Sequence, residues 1–184
     1  SVGLQTVPYR TTNRDLPFVL GLKYKIADKL VLNKFRAALG GKVRACSSGG
    51  SALSKEVGSF FCGIGISIIE GYGLTETSPV MTMGHPDFFK FGTVGKAIPG
   101  VEVKIQPDGE IVCKGHNVMM GYYKNEEATN EAIIDGWFHS GDIGEFDEDG
   151  LLRITDRKKS LIVTSGGKNA VSYTHLTLPT SHCV

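Results

Sequence analysis

The pattern of apolar residues changes near Met83, and this change constrains the fold more than any other feature of the chain. Before it, a strand candidate at 43–46, a helix candidate at 53–61 and an apolar run at 64–69 follow one another. A strand, a helix and a second strand in this order indicate an α/β arrangement. Apolar residues at near-helical spacing from Leu22 to Leu39 predict one amphipathic helix ahead of them.

The rest of the chain has short alternating segments separated by turn residues. Two pairs of strand candidates flank Asp-Gly turn motifs and predict β-hairpins at 101–114 and 143–155. Between them, a helix is expected near 126–133, where Asn125 can cap its first turn. The sequence therefore reads as the end of an α/β domain joined to a small β-rich unit.

Charge and composition exclude several classes of partner. The formal net charge is +1, and basic and acidic residues are interspersed, so the chain carries no electrostatic footprint for nucleic acid. No stretch approaches the ~18 consecutive apolar residues of a membrane span. The four cysteines are far apart and lack metal-ligand spacing, which indicates a reduced, cytoplasmic protein.

Ten residues after the apolar run carry side chains that suit nucleotide binding. The segment 70–79 reads Glu-Gly-Tyr-Gly-Leu-Thr-Glu-Thr-Ser-Pro and stands where an open α/β sheet places its ligand-binding loops. Its glycines let backbone amides approach a phosphate, its tyrosine can stack on a base, and a carboxylate can hold Mg²⁺. From spacing alone, a plain glycine-rich turn is an equal alternative.

This decamer resembles the signature of the adenylate-forming superfamily, which includes acyl-CoA synthetases, luciferases and the adenylation domains of peptide synthetases. The resemblance implies that Tyr72 stacks on adenine in a slot shaped by Gly71 and Gly73. It also implies that Thr75 binds the α-phosphate and that Glu76 ligates Mg²⁺, which makes these two residues catalytic candidates.

Two other segments resemble nucleotide-contacting parts of the same superfamily. The Ser-Ser-Gly-Gly-Ser loop at 47–51 is similar to a loop that lies against adenine, which implies contacts from Gly49, Gly50 and Ser51. The segment Gly-Trp-Phe-His-Ser-Gly-Asp is similar to one whose aspartate, here Asp142, receives the ribose hydroxyls. Taken alone, the loop is more typical of a helix N-cap, and the aspartate of a turn before a strand.

The segment at 156–160 resembles the junction between the large and small domains of the superfamily. It implies that Arg157 reaches the ribose and that Lys159 is the hinge about which the small domain moves between the two half-reactions. The segment at 165–169 lacks P-loop spacing. It resembles the loop that opens the small domain of long-chain acyl-CoA ligases, and 117–123 is similar to fatty acyl members.

The resemblance implies an α/β fold that is the C-terminal part of the large domain, truncated at the start of the small domain. Residues 1–83 are expected in an α/β sheet subdomain and 84–156 in a β-rich barrel subdomain, followed by the hinge and the start of the small domain at 157–170. Residues 171–184 do not resemble the family. Their first ten residues match a translated sequencing adapter, which indicates a non-native tail.

For the intact parent, the resemblance implies a long-chain fatty acid CoA ligase that uses ATP, Mg²⁺ and CoA. A fatty acid attacks the α-phosphate of ATP to give an acyl-adenylate, and the CoA thiol then displaces AMP. The family's upstream phosphate loop and distal catalytic lysine have no counterpart in this sequence, so we expect the chain alone to be inactive. Peripheral contact with the inner face of a membrane and the oligomeric state stay open.

Three alternative interpretations fit parts of the sequence. The first is an adenylation domain for another carboxylic acid, and the second is an inactive nucleotide-binding remnant. The third, a dinucleotide-binding domain, depends on Gly63-Ile64-Gly65, and it lacks the third glycine and the distal acid of that fingerprint.

Overall fold

A computed structural model describes residues 1–158 and the backbone of 161–163 and 169–171. The helices are α1 (Val2–Arg10), α2 (Phe18–Ala27), α3 (Asn33–Ala38), α4 (Lys55–Gly63) and α5 (Glu126–Ala132). A π-helical turn at Asp28–Leu32 joins α2 to α3, so the chain is helical without a break through this region. The predicted amphipathic helix is therefore confirmed, although it begins earlier than expected and contains a π turn.

The first sheet has four strands in the order β1-β2-β3-β4. They are β1 (Ala45–Ser48), β2 (Ser67–Tyr72), β3 (Thr82–Met83) and β4 (Lys96–Ala97). Strands β1 and β2 are parallel and are connected by α4, as the strand-helix-strand pattern predicts. Strands β3 and β4 continue the sheet in antiparallel pairing.

The second sheet is antiparallel and has the order β5-β6-β8-β7, with β9 also paired to β8. Its strands are β5 (Val101–Ile105), β6 (Glu110–Gly115), β7 (Ile133–Ile134), β8 (Trp137–Phe146) and β9 (Leu152–Arg157). Strands β10 (Leu161–Val163) and β11 (Asn169–Val171) form a separate antiparallel pair. Both predicted hairpins are confirmed, and Asn125 caps α5 by accepting a hydrogen bond from the Ala128 amide at 3.1 Å.

Two strands extend further than the sequence predicts. Strand β2 runs on through Tyr72 because Gly71 and Tyr72 pair with β3, so the first residues of the decamer belong to a strand. Strand β8 begins at Trp137, six residues before the predicted hairpin strand. Asp142 consequently lies inside β8, and the interpretation of it as a turn residue before a strand is wrong.

The hydrophobic core lies between the two sheets. Met81, Val101, Cys113 and Phe138 form one buried cluster, and Tyr72 packs against it from β2. On the far side of β8, the single tryptophan, Trp137, lies under the ammonium group of Lys104, 4.0 Å from the ring centroid. The packing fixes β2 against β8.

The helical stretch through α2 and α3 leaves large apolar side chains in solvent. Phe18 is 87% exposed, and Leu22, Ile26, Leu30 and Phe35 are each about half exposed or more. Within the described part of the chain, nothing covers this apolar surface. No helix among the described residues has the length and apolar content needed to cross a bilayer.

Gly95 offers a test of the close approach between β3 and the residue before β4 in the first sheet. It has a φ of +81°, and a Cβ there would overlap the carbonyl group of Met83. Gly92 has a φ of +82° but open space around it. We expect Gly92→Ala to lower the free energy of unfolding by about 1–2 kcal/mol, the cost of a left-handed backbone. Gly95→Ala should lower the free energy of unfolding by about 1–3 kcal/mol more than Gly92→Ala does, because its new Cβ overlaps backbone atoms.

Urea unfolding of both variants measures this difference. Equal losses of unfolding free energy in the two variants would contradict the predicted overlap between a Cβ at residue 95 and the Met83 carbonyl group.

Candidate functional site

A buried carboxylate connects three strands at the junction of the two sheets. The Tyr72 hydroxyl on β2 donates to Oδ2 of Asp142 on β8 at 2.7 Å, and Arg157 Nε at the end of β9 donates to Oδ1 at 3.0 Å. Asp142 is only 7% exposed, whereas the Arg157 side chain is 57% exposed. The sequence separates these residues widely, and the fold brings them into one hydrogen-bonded chain.

The protonation state of this chain follows from burial. Burial, together with the negative charge of Asp142, raises the pKa of the Tyr72 phenol well above its usual value. The hydroxyl therefore stays protonated and donates to the carboxylate. An ionised carboxylate has about four lone-pair sites, so Asp142 can accept two ligand hydroxyls in addition to its present donors.

A cleft of about 470 Å³ lies beside this chain. Its walls bring together seven of the nucleotide-binding residues predicted from the sequence: Gly50, Ser51, Gly71, Tyr72, Gly73, Asp142 and Arg157. Gly49 lies behind the wall, where a Cβ would be 3.3 Å from the Gly71 carbonyl oxygen. Apart from this backing position, the predicted adenine and ribose contacts share one cavity.

The decamer continues past the cleft as a short 3₁₀ turn at Thr75–Thr77. The Thr77 side chain is buried, and its hydroxyl oxygen accepts a hydrogen bond from the Leu74 amide at 2.9 Å. This bond connects the end of the turn to the residue before it. Asn117 Nδ2 donates to the carbonyl oxygens of Thr77 at 3.1 Å and Val80 at 2.9 Å. One buried amide thus ties the end of the turn to the segment that follows it.

The two predicted catalytic residues of the turn lie outside the 470 Å³ cleft. Glu76 lines a neighbouring cavity of about 760 Å³, which Arg157 also borders. Its Oε1 accepts the Tyr122 hydroxyl at 2.8 Å. Thr75 is exposed and lines neither cavity. The predicted hinge, Lys159, lies outside the described residues.

The residues present fit a magnesium ion held largely by its substrate. Among the described residues, no group of three His, Cys, Asp or Glu side chains could hold a metal ion by itself. Mg²⁺ usually keeps several waters and binds one or two carboxylates plus phosphate oxygens. Glu76 is such a single carboxylate, and Tyr122 holds it in place.

Sequence reasoning missed Glu70, the first residue of the decamer. It is 8% exposed, and its carboxylate accepts the Leu53 amide at 3.1 Å and the Gly92 amide at 3.3 Å. Glu70 thereby ties the loop after β1 to the segment before β4 and braces the cleft. A carboxylate at the end of an apolar strand run was the available signal, because buried acids need such partners.

Asn117 and Glu110 were missed in the same way. Asn117 clamps the signature turn, and Glu110 is a buried carboxylate on β6. Their partners are distant in sequence, so no local pattern marks them.

Comparison with known proteins identifies the class of enzyme to which this fold belongs. Residues 14–123, more than half of the chain, match the AMP-binding enzyme family. The chain belongs to this family.

Two relatives are long-chain-fatty-acid–CoA ligases. FadD15 of Mycobacterium bovis is 51% identical over 151 residues, which cover 82% of this chain and 25% of the relative. ACSBG2 of Xenopus laevis is 42% identical over 175 residues, which cover 91% of this chain and 23% of the relative. The chain thus spans about a quarter of the length of these relatives.

A solved structure shows the same arrangement. O-succinylbenzoate coenzyme A synthetase from Bacillus subtilis, in complex with ATP and a magnesium ion, superposes with a TM-score of 0.62 at 31% identity. The match covers 75% of this chain and 33% of that chain. The fold prediction, part of the large domain of an adenylate-forming enzyme, is confirmed.

Tyr72→Phe tests the phenol bond to Asp142. At about pH 8 we expect a loss of about 1–3 kcal/mol in the free energy of unfolding, because a buried carboxylate loses a donor. The raised pKa of Tyr72 means that its contribution is complete below the ordinary tyrosine pKa of about 10 and is lost as the pH rises above it. The difference from wild type should therefore narrow at alkaline pH.

Urea unfolding at about pH 8 and about pH 11 measures both effects. Tyr123→Phe is the matched control, since Tyr123 is 88% exposed. A difference between wild type and Tyr72→Phe that does not vary with pH would contradict the buried, protonated phenol.

Proposed function

We propose that this chain is the adenylate-binding segment of an ATP-dependent long-chain fatty acid CoA ligase. The observation that carries the proposal is the hydrogen-bonded chain of Tyr72, Asp142 and Arg157 on the wall of a cleft that Gly50 and Ser51 close from the other side. The names of the relatives support the substrate class.

The cleft suits an adenosine group in one orientation. The base lies against the Tyr72 ring between the 49–51 loop and Gly71 and Gly73. The ribose hydroxyls donate to Asp142, and Arg157 orients that carboxylate by donating to Oδ1 at 3.0 Å. This placement uses the ring as a stacking surface and the carboxylate as a double acceptor.

The phosphates then extend toward the 3₁₀ turn. Thr75 donates its hydroxyl to the α-phosphate, and Glu76 holds Mg²⁺, which neutralises phosphoryl charge when it is bound. A fatty acid carboxylate attacks the α-phosphate and pyrophosphate leaves, and the CoA thiol then attacks the acyl carbon and AMP leaves.

The division of the chain belongs to the same proposal. Residues 1–83 and 84–156 form the two subdomains, 157–170 the hinge with Lys159 and the start of the small domain, and 171–184 a non-native tail. The other parts of such a ligase, including the upstream phosphate loop and the distal lysine, supply what this chain does not contain.

Nucleotide binding is tested on the chain itself by calorimetric titration with AMP. We expect Tyr72→Ala and Asp142→Ala each to weaken AMP binding by about tenfold or more, the loss of a stacking surface or of two hydrogen bonds. Tyr123→Ala and Asp149→Ala change exposed residues of the same types and should leave the affinity unchanged. Equal effects of the two pairs, or no AMP binding by the wild type, would refute the proposal.

The reaction is tested in a chimera. The 151 matched residues replace the corresponding segment of the Mycobacterium bovis ligase, to which they are 51% identical. ATP- and CoA-dependent consumption of palmitate that is lost in Glu76→Ala supports the ligase. A chimera that forms the adenylate of a different carboxylic acid instead would favour the adenylation-domain alternative.

A further inference from the structure

Glu110, near the start of β6, has a carboxylate buried away from the nucleotide cleft. It is 5% exposed and accepts three hydrogen bonds. Oε1 accepts the backbone amide of Gly141 at 2.9 Å, and Oε2 accepts His139 Nδ1 at 3.0 Å and Lys158 Nζ at 2.9 Å. A buried carboxylate with this many donors is a fixed structural element, because each donor offsets the cost of desolvating its charge.

Two of the three donors are sequence neighbours of the ribose-binding pair. Gly141 directly precedes Asp142, and Lys158 directly follows Arg157. Glu110 thus connects β8 and β9 immediately beside the two side chains that bond each other at 3.0 Å.

The backbone at this point lacks regular ladder pairing. Between the pairs Val112–His139 and Glu110–Ile143, β6 advances by two residues and β8 by four, which makes a bulge in β8. Gly141 in this bulge has a φ of +72°, and its amide turns to the Glu110 side chain. Bulges re-aim side chains near active sites, and here the re-aimed residue is Asp142.

We propose that Glu110 is a positioning residue that holds Asp142 and Arg157 in the geometry that receives the ribose hydroxyls. This role rests on the function proposed above. The carboxylate replaces the missing ladder bond at Gly141 and fixes the end of β9 through Lys158. It lies apart from the proposed adenine and ribose contacts, since it lines the 760 Å³ cavity and not the 470 Å³ cleft.

The charge of Glu110 is maintained by its donors. Burial acts to raise the pKa of this carboxyl, but the hydrogen bonds from His139, Lys158 and Gly141 outweigh burial and lower it below its usual range. Lys158 also bonds Asp108 Oδ2 at 2.7 Å, and these two carboxylates raise the pKa of the lysine. Asp108 therefore shares the lysine with Glu110 but makes no bond to Gly141 among the described residues.

The experiment compares Glu110→Ala and Glu110→Gln with the matched control Asp108→Asn. The readout is the ratio of the dissociation constants for 2′,3′-dideoxy-AMP and AMP, which isolates the ribose hydroxyls. We expect a ratio of about ten for the wild type and for Asp108→Asn, and about two or less for Glu110→Ala. Glu110→Gln keeps an acceptor for Gly141 and should give an intermediate ratio.

A second readout needs no nucleotide. Hydrogen exchange at the Gly141 amide should be at least about tenfold faster in Glu110→Ala than in the wild type and unchanged in Asp108→Asn. If Glu110 only stabilises the fold, Glu110→Ala weakens both nucleotides equally and its ratio equals that of the wild type, which overturns the proposal. Glu110→Gln decides in the same way if Glu110→Ala does not fold.

Failure of the proposed function has a different signature. In that case the wild type binds AMP no better than dideoxy-AMP, or binds neither, and the role toward ribose is overturned with it. If the wild type discriminates and both Glu110 variants discriminate equally well, only the positioning role is overturned.

Discussion

The described structure depends on the hydrogen bonds that the Asp142 carboxylate accepts. It accepts the Tyr72 hydroxyl from the first sheet and the Arg157 guanidinium from the end of β9, so one buried charge joins both sheets. Removing a donor is costly here because the carboxylate is buried, although Arg157 itself is largely exposed, and a buried acceptor without its hydrogen bond is destabilising. The two carboxylate oxygens of Asp142 that hold the sheets together are also the atoms that we propose accept hydrogen bonds from the ribose. The stability of the sheet junction is therefore coupled to nucleotide binding.

Around this carboxylate, other buried polar side chains form hydrogen bonds between segments that are distant in sequence. Glu70 holds the loop after β1, Asn117 holds the signature turn, and Glu110 holds the bulge of β8. Each of them bonds backbone amides or carbonyls that regular strand pairing leaves free. The cleft is therefore shaped by side chains that do not line its nucleotide face, with Glu70 as the exception.

Much of the architecture could be predicted from local pattern. The hairpins, the strand-helix-strand unit and the cap at Asn125 depend on turn chemistry and periodicity within a few residues. The extension of β2 through Tyr72 could not be predicted, because it depends on pairing with Thr82 and Met83 across a loop. For the site, resemblance identified the residues that share the cleft. Glu70 left one local signal, a carboxylate at the end of an apolar run, whereas the roles of Asn117 and Glu110 depend on partners far along the chain.

Trp137 gives the molecule a built-in optical reporter. It is the single tryptophan, and it lies on β8, the strand that carries Asp142, beneath the Lys104 ammonium group. Indole emission therefore originates from one place in the second sheet and is sensitive to the positions of two nearby cations, Lys104 and Lys114. Tryptophan fluorescence from this chain therefore reports on the strand that carries Asp142. It does not report on the helices before β1, and their unfolding has to be followed by circular dichroism.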